Sequence, residues 1–267
     1  MNKLNFILTG SSGRLGKEII KQCNENFNII PLLHKDVEIT NRENVYNVIK
    51  KLYHEYDSID LLIHTAAYTA VDKAEQEKEK CYFANVEGTR NVVDVCKRYG
   101  LPLFFISSDY VFDGKKGNYK EEDIPGPFNY YGLTKLLGEI IVRQYYHKSL
   151  VIRTSFKPEK WPYMSAFEDV YTSADYMPLI VKEISFMIEN FQELYRSYRY
   201  FRNQENIFHI AGSRKSILEL ARILNPNVVA ISKKDMNFPL PDDVSLNTDK
   251  WKEFKERIEK LHKNKSS

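Results

Sequence analysis

The stretch LNFILTGSSGRLGKEII, residues 4–20, places three glycines between an apolar run and an amphipathic one. Gly10, Gly13 and Gly16 have the spacing G-x-x-G-x-x-G, directly after a predicted buried strand and at the start of a predicted helix. Glycines at these positions allow a tight turn and a close approach of the backbone to a pyrophosphate, and the helix end supplies free N–H groups. The stretch therefore predicts a dinucleotide-binding unit.

Outward from this stretch, short apolar runs alternate with helical patterns as far as about residue 155. Such alternation is typical of a parallel sheet covered by helices on both faces. We therefore predict an α/β fold, a Rossmann-like doubly wound parallel sheet with a small, shortened substrate-binding lobe. The predicted domains are an NAD(P)-binding Rossmann-like domain over residues 1–155 and a small substrate-binding lobe over residues 156–267 that partly returns to the main domain.

The composition argues against several classes of function. The 267 residues are 43% hydrophobic and 28% charged, as expected for a globular protein, and the net charge of +3 is small. No apolar run approaches the roughly 20 residues of a membrane span. The three cysteines, Cys23, Cys81 and Cys96, are scattered and lack the spacing of a metal site. We expect a cytoplasmic protein with no nucleic-acid, membrane or metal partner.

A second stretch, FNYYGLTKLLGE (128–139), sets Tyr131 four residues before Lys135, so the two side chains share one face of a predicted helix. Ser107 and Ser108 end the strand that precedes it along the chain. A free tyrosine has a pKa of about 10, and a nearby ammonium lowers that pKa by favouring the phenolate. The pair would thus serve as an acid for a carbonyl oxygen, with a serine hydroxyl as a hydrogen-bond donor. The alternative is an incidental pair on a surface helix.

Three blocks, AAYTAVDKAEQE (66–77), SSDYVFDG (107–114) and YYGLTKLLGE (130–139), resemble signature blocks of the dTDP-4-dehydrorhamnose reductase family. This is a group of extended short-chain dehydrogenases/reductases, and the glycine spacing resembles that superfamily too. The resemblance is dense over residues 1–155. It implies an NAD(P)H-dependent reductase of a nucleotide-linked 4-keto-6-deoxy sugar in rhamnose biosynthesis, with the nucleotide sugar as partner and a homodimer left open.

The resemblance also implies roles for individual residues. The catalytic group falls on Ser108, Tyr131 and Lys135. The implied cofactor-binding residues are Gly10, Ser11, Gly13, Arg14, Leu15, Gly16, Glu38, Ile39, Ala66, Ala67, Tyr68, Asn85, Tyr131 and Lys135. The implied substrate-binding residues are Thr69, Val71, Ser108, Tyr110 and Phe156.

The end of the second predicted strand, LLHKDVEITN (32–41), bears on the choice of cofactor. Dehydrogenases selective for NAD usually carry an acid at this strand tip, where it binds the ribose 2′-hydroxyl. Here His34 and Lys35 come first, and a cation suits the extra phosphate of NADPH. We therefore predict NADPH as cofactor, with Lys35 among its binding residues and NADH also accepted. The alternative is that both residues are exposed loop residues.

The second half departs from the family pattern. Asp242 and Asp243 stand where the family often has arginine-proline, so another cation would have to hold a diphosphate. The candidates are Arg153, Arg199, Arg202, Arg214 and Lys215. An aromatic insert is predicted to form a wall over sugar and base, or alternatively to be lobe core or a subunit contact. Its rings are Trp161, Tyr163, Phe167, Tyr171 and Tyr176.

Two other functions stay open at this point. One is a different nucleotide-sugar enzyme of the superfamily, such as an epimerase, a dehydratase or a bifunctional epimerase/reductase. A dehydratase normally needs an Asp-Glu pair after the serine, and this chain has Asp109 without the glutamate. The other is a non-catalytic regulatory subunit of the same fold, as in methionine adenosyltransferase. The serine, tyrosine and lysine together argue against that second option.

Overall fold

The computed structural model describes residues 3–23, 25–197, 206–236 and 240–266. Its strands are β1 (Asn5–Thr9), β2 (Asn28–Leu32), β3 (Leu61–His64), β4 (Leu103–Ser108), β5 (Ser149–Thr154), β6 (Phe156–Lys157), β7 (Ser165–Phe167), β8 (Tyr171–Thr172), β9 (Asp175–Tyr176), β10 (Ile207–Ile210), β11 (Lys215–Ser216) and β12 (Val229–Ile231). Its α-helices are α1 (Arg14–Cys23), α2 (Arg42–Glu55), α3 (Lys78–Tyr82), α4 (Gly88–Tyr99), α5 (Tyr130–Tyr145), α6 (Met177–Glu189), α7 (Phe191–Ser197), α8 (Ile217–Leu224) and α9 (Asp249–Ser266).

The main sheet has six strands in the order β10-β5-β4-β3-β1-β2. β1 pairs in parallel with β2 and with β3, so that Phe6 lies opposite Ile29 on one side and Leu61 on the other. β3 pairs in parallel with β4. Every residue of β3, β4 and β5 is buried, which explains the apolar runs LLI, LFFI and LVI within these strands. The predicted parallel sheet is confirmed.

The chain forms two compact units, and their bounds differ from those of the predicted domains. The first unit holds residues 1–107 and 129–152, and the second holds residues 108–128 and 153–267. The sequence predicts one boundary near residue 155, whereas the structure groups residues 108–128 with the second half of the chain. The reason is a set of long-range hydrogen bonds: the Tyr119 backbone N–H donates to the Ser245 carbonyl, and the Asn118 N–H donates to the Ser245 hydroxyl.

The first unit is built on a core of strand residues covered by helices. Phe6, Ile7 and Leu8 of β1 have no exposed surface. α2 packs on α4, and α4 packs on α5. α5 begins at a proper cap, because the Asn129 side chain accepts a hydrogen bond from the Gly132 N–H at 2.7 Å. This cap fixes where the helix that carries Tyr131 and Lys135 begins.

The second unit has its own core. Trp251 of α9 lies edge-on to Phe186 of α6 and to Phe208 of β10, with ring centroids 6.1 Å apart in each case. Small sheets complete this unit: β6 pairs with β9 and β7 with β12, both in parallel, and β8 pairs with β11 in antiparallel fashion. Within the described ranges, no helix combines the length and the apolar character required to cross a membrane.

Candidate active site

Two glycines of the loop between β1 and α1, Gly10 and Gly16, have no room for a side chain. Gly10 adopts a φ of +70°, and a Cβ atom there would lie 2.6 Å from the Ala66 backbone nitrogen. A Cβ atom on Gly16 would lie 2.5 Å from the Gly10 carbonyl oxygen. Gly13 closes the turn by donating its N–H to that same carbonyl at 3.0 Å. The loop is therefore a bare backbone surface, as a bound pyrophosphate requires.

The loop also offers polar groups to a ligand. The Ser11 hydroxyl is buried and has no hydrogen-bond partner within the described part of the chain. Such an orphaned buried hydroxyl is costly unless a ligand or water satisfies it. Leu15 is buried beneath the loop, whereas Arg14 is exposed at the first position of α1. Ser11, the bare glycines and the N-terminus of α1 together fit a dinucleotide pyrophosphate.

Replacing Gly16 by alanine is expected to weaken cofactor binding at least roughly tenfold and to destabilise the protein by about 1–3 kcal/mol, the usual cost of overpacking. The added methyl would meet backbone atoms of Gly10 and Ser11, and backbone cannot rotate away as a side chain can. Equilibrium titration of cofactor and thermal unfolding measure the two effects. Gly126→Ala is the matched control, because its Cβ would find the nearest atom at 3.7 Å. Unchanged affinity in Gly16→Ala would contradict this account of the loop.

The segment after β2 contains an acid that is already hydrogen-bonded, Glu38, and an exposed cation, Lys35. The Glu38 carboxylate accepts hydrogen bonds from the Thr40 hydroxyl at 2.7 Å and from the Thr40 N–H at 3.1 Å. The Thr40 hydroxyl bond holds the pKa of Glu38 below its usual value. Lys35 is exposed, and His34 lies 3.4 Å from Glu38. Ile39 packs its side chain against Gly88. Lys35 is thus an exposed cation of this segment, next to the exposed His34.

The loop after β3 is fastened to α5 by Asn85. The Tyr68 backbone N–H donates to the Asn85 side chain at 2.8 Å, and the Asn85 amide donates to the Thr134 hydroxyl at 2.9 Å. Asn85 lies in a π-helical turn, Phe83–Glu87, a distortion often found near functional sites. Ala66 and Ala67 lie in the same half-buried loop. In this structure Asn85 holds the loop against the helix.

Tyr131 and Lys135 are buried one turn apart on α5, with 9% and 4% of their surface exposed. The Lys135 ammonium donates to the Ile106 carbonyl at 2.7 Å and lies 4.4 Å from the centroid of the Phe105 ring. Burial lowers the pKa of Lys135 to about 8. A buried cation and a buried phenol thus lie one helical turn apart on α5.

The two serines at the end of β4 have different partners. Ser107 donates its hydroxyl to the buried Glu139 carboxylate at 2.5 Å, within the first unit. Ser108, in the second unit, donates its hydroxyl to Asp109 at 2.9 Å and accepts the Tyr110 N–H at 3.2 Å. The sequence offers both serines, and the structure shows that Ser107 is committed to α5.

Asp109 bears directly on what Ser108 can do. Burial raises the pKa of Asp109, against the opposing hydrogen bonds of Ser155 and Ser108. A protonated Asp109 would donate to the Ser108 oxygen and so free the Ser108 proton for another acceptor. The partner of the Ser108 proton thus depends on the protonation state of Asp109.

The remaining predicted substrate residues fall in both units. Thr69 is exposed and Val71 half-buried, in the first unit, where the Val71 N–H donates to the Thr69 carbonyl at 3.0 Å. Tyr110 lies in the second unit with its ring 5.5 Å from that of Phe128, and burial raises its pKa. Phe156 is half-buried in β6 of the same unit. These assignments stay predictions.

Three of the five candidate diphosphate cations contact other groups of the protein. The Arg153 guanidinium is buried over the Phe112 ring, 5.0 Å from its centroid. Arg214 stacks on Tyr171 at 3.9 Å and donates to Asp243 at 2.6 Å. Lys215 lies 3.4 Å from the Asp175 carboxylate. The other two candidates, Arg199 and Arg202, lie outside the described residues.

Two rings of the aromatic insert pack within the second unit, the half-buried Trp161 and the buried Tyr176. Trp161 packs against a cluster of buried residues that includes Ala166 and Leu218. Tyr176 is buried and donates its hydroxyl to the Leu220 carbonyl at 2.7 Å. Both positions agree with the lobe-core alternative. Among the described residues, no cluster of three or more His, Cys, Asp or Glu side chains is arranged to hold a metal ion.

Known proteins resemble this chain over its first half. Residues 4–160 match the family described as RmlD substrate binding domain. The dTDP-4-dehydrorhamnose reductase of Aggregatibacter actinomycetemcomitans is 35% identical over 154 residues, 57% of this chain and 51% of that protein. Methionine adenosyltransferase 2 subunit beta of Pongo abelii is 33% identical over 141 residues, 50% of this chain and 41% of that protein. The chain spans about half the length of the curated relatives it matches.

Solved structures resemble the chain over more of its length. The crystal structure of dTDP-4-dehydrorhamnose reductase from Bacillus anthracis in complex with NADP has a TM-score of 0.79. The two sequences are 27% identical, and the similarity covers 96% of this chain and 98% of that one. The doubly wound fold predicted from the sequence is therefore shared with that protein.

Proposed function

Because this chain belongs to the RmlD substrate binding domain family, we propose that it is an NAD(P)H-dependent reductase of a nucleotide-linked 4-keto-6-deoxy sugar. The observation that carries the proposal is the buried Tyr131–Lys135 pair on α5, with the ammonium fixed to the Ile106 carbonyl. An incidental lysine on a surface helix would stay in water, because desolvating an ammonium is costly. A buried lysine with a perturbed pKa is typical of functional sites. dTDP-4-dehydrorhamnose is the proposed substrate type, in a route to rhamnose or a related deoxysugar.

Each residue has a part in the reduction of the ketone. When bound, NADPH supplies the hydride that the carbonyl carbon accepts. Tyr131 gives its phenolic proton to the carbonyl oxygen, so the product is an alcohol. The Lys135 ammonium favours the phenolate that remains, and it also holds the cofactor ribose. Ser108, by the family resemblance, donates a hydrogen bond to the carbonyl oxygen.

The glycine loop and α1 hold the other end of the cofactor. The bare backbone at Gly10 and Gly16 accepts the pyrophosphate, and the buried Ser11 hydroxyl gains the partner that it lacks. The B. anthracis relative was crystallised with NADP, which supports the same cofactor here.

A second candidate is a regulatory subunit that keeps the fold without the reaction. It is favoured by the 33% identity to methionine adenosyltransferase 2 subunit beta. The buried Tyr131–Lys135 pair favours the reductase, since a purely regulatory role does not need an acid. Incubating the chain with NADPH and a nucleotide-linked 4-keto-6-deoxyhexose separates the two. Oxidation of NADPH coupled to loss of the ketone supports the reductase; cofactor binding with no turnover supports the regulatory subunit.

Cofactor choice gives a further expected result. We expect kcat/KM for NADPH to exceed that for NADH at least roughly tenfold, because Lys35 would make a charge-assisted hydrogen bond to the 2′-phosphate. Lys35→Ala should reduce that ratio while leaving kcat/KM for NADH nearly unchanged. Lys50→Ala removes a similar exposed cation from α2 and serves as control. A native preference for NADH, or a ratio unaffected in Lys35→Ala, would refute the assignment of Lys35.

A further inference from the structure

Glu139 is a buried carboxylate that has no role in the mechanism proposed above. It lies on α5, one turn after Lys135, and its side chain has no exposed surface. An isolated carboxylate is expensive to bury unless it is hydrogen-bonded and paired with a charge. The Ser107 hydroxyl supplies a hydrogen bond at 2.5 Å. The Lys135 ammonium, four residues earlier on the same helix face, supplies the charge.

Two successive residues of β4 tie this part of α5 to the sheet. The Ile106 carbonyl accepts the Lys135 ammonium at 2.7 Å, and the Ser107 hydroxyl donates to the Glu139 carboxylate. The two anchor points are a single helical turn apart. Losing either bond would leave a buried charged group without a hydrogen-bond partner that it has in this structure, which is unfavourable. β4 thus holds α5 in place at Lys135 and at the following helical turn.

Neighbouring groups counteract the effect of burial on the pKa of Lys135. Burial lowers the pKa of Lys135 to about 8, and the Glu139 carboxylate, followed by Cys81, acts in the opposite direction. Cys81 faces Lys135 from α3 and His64 from β3, and Tyr131 shares its helix. Burial raises the pKa of Cys81 and lowers that of His64 to about 3, so both are neutral at pH 7. Glu139 is thus the carboxylate in this set, and it favours the ammonium form of Lys135.

We propose that Glu139 is a positioning residue of the reductase: its charge and its bond to Ser107 keep Lys135 in the ammonium form and fixed against the Ile106 carbonyl. The inference rests on the proposed function, because it assigns Glu139 a part in that same reaction. Glu139 touches neither substrate nor cofactor in this account. It acts through Lys135.

The direction of the expected pH effect follows from the charges. A carboxylate beside an ammonium favours the charged form, so removing the carboxylate lowers the pKa of Lys135. The neutral amine then forms at lower pH, and the support for the Tyr131 phenolate is lost there. In the native chain the rate decreases as the pH rises through the Lys135 pKa. In a variant that lacks the carboxylate, this decrease is expected at lower pH.

The test replaces Glu139 by glutamine, which keeps the size and removes the charge. The alkaline limb of the kcat–pH profile should move to lower pH by about one unit or more, with KM for the sugar little changed. Glu43→Gln removes an exposed carboxylate from the first turn of α2 and should leave the profile in place. Glu139→Asp restores the charge one methylene further away and should give an intermediate shift. A profile in Glu139→Gln that matches the native one would overturn the proposal.

A second readout does not depend on turnover. The ¹³Cε resonance of Lys135, assigned by its absence from Lys135→Met, should titrate at lower pH in Glu139→Gln than in the native chain. If the native chain shows no reductase activity but this titration shifts, the proposed function fails and the link between Glu139 and Lys135 stands. If the native chain is active and neither the titration nor the profile shifts, the proposal about Glu139 is wrong. Should Glu139→Gln fail to fold, Glu139→Asp provides both measurements, and an unshifted titration there overturns the proposal.

Discussion

Replacing Tyr131 by phenylalanine is expected to lower kcat at least roughly 100-fold, the contribution typical of general acid catalysis, while the dissociation constant for NADPH stays nearly unchanged. The phenyl ring retains the buried position of the tyrosine, which is only 9% exposed, so the helix and the glycine loop are undisturbed. What is removed is the proton donor. Steady-state kinetics with a nucleotide-linked 4-keto-6-deoxyhexose, together with a cofactor titration, measures both quantities.

Tyr130→Phe is the matched control for this variant. It removes the same oxygen one residue earlier, where the ring is half-buried and lies 5.3 Å from the Lys78 ammonium. Tyr130 is five residues from Lys135 and off its helix face, so its phenol should not be needed. Near-native turnover in Tyr131→Phe, or a loss confined to Tyr130→Phe, would show that Tyr131 is not the acid.

Replacing Lys135 by methionine is expected to lower kcat at least as far, and also to weaken cofactor binding about tenfold or more. The change removes the ammonium that stabilises the Tyr131 phenolate and leaves the Ile106 carbonyl without this donor. Because methionine is a similarly long apolar side chain, the buried site stays filled. The combined loss of kcat and affinity distinguishes this variant from Tyr131→Phe, in which affinity is kept.

Lys148→Met provides a fair comparison for the lysine. The Lys148 ammonium also donates to a backbone carbonyl, that of Gly100 at 3.2 Å, but it has no proposed part in the reaction. Its replacement should leave kcat and cofactor affinity close to native values. If Lys135→Met keeps native cofactor affinity and loses only kcat, the lysine tunes the tyrosine without holding the cofactor, and the second half of its assignment is wrong.

Much of the first unit could be predicted from the sequence, because its signals are local. The glycine spacing, the buried strands and the resemblance of three motif blocks all lie in short segments, and the family they predicted is confirmed by the match over residues 4–160. The grouping of residues 108–128 with the second half could not be predicted in this way. It depends on hydrogen bonds such as that from the Asn118 N–H to the Ser245 hydroxyl, two residues that are 127 positions apart. The periodicity of the sequence does not predict such a contact.

The two serines show why the site could be predicted only in part. The sequence SSD gives two adjacent hydroxyls at the end of a strand, and successive side chains of a strand point to opposite faces. The face of β4 that α5 covers depends on tertiary packing. Only the structure shows that the Ser107 hydroxyl donates to Glu139. Glu139 itself was missed, although its spacing of four from Lys135 placed it on the same helix face. A glutamate in a helix is ordinarily exposed, so the spacing alone did not single it out.

The central claim is that hydride reaches the ketone carbon of a nucleotide-linked sugar with Tyr131 as the proton donor. Its most direct test uses NADPH deuterated at the transferable C4 position of the nicotinamide, with the native chain, and mass spectrometry and NMR of the sugar product. We expect one deuterium per product molecule, located at C4 of the sugar, and almost no product from Tyr131→Phe in the same time. A product without deuterium, deuterium at another carbon, or no reaction by the native chain would contradict it.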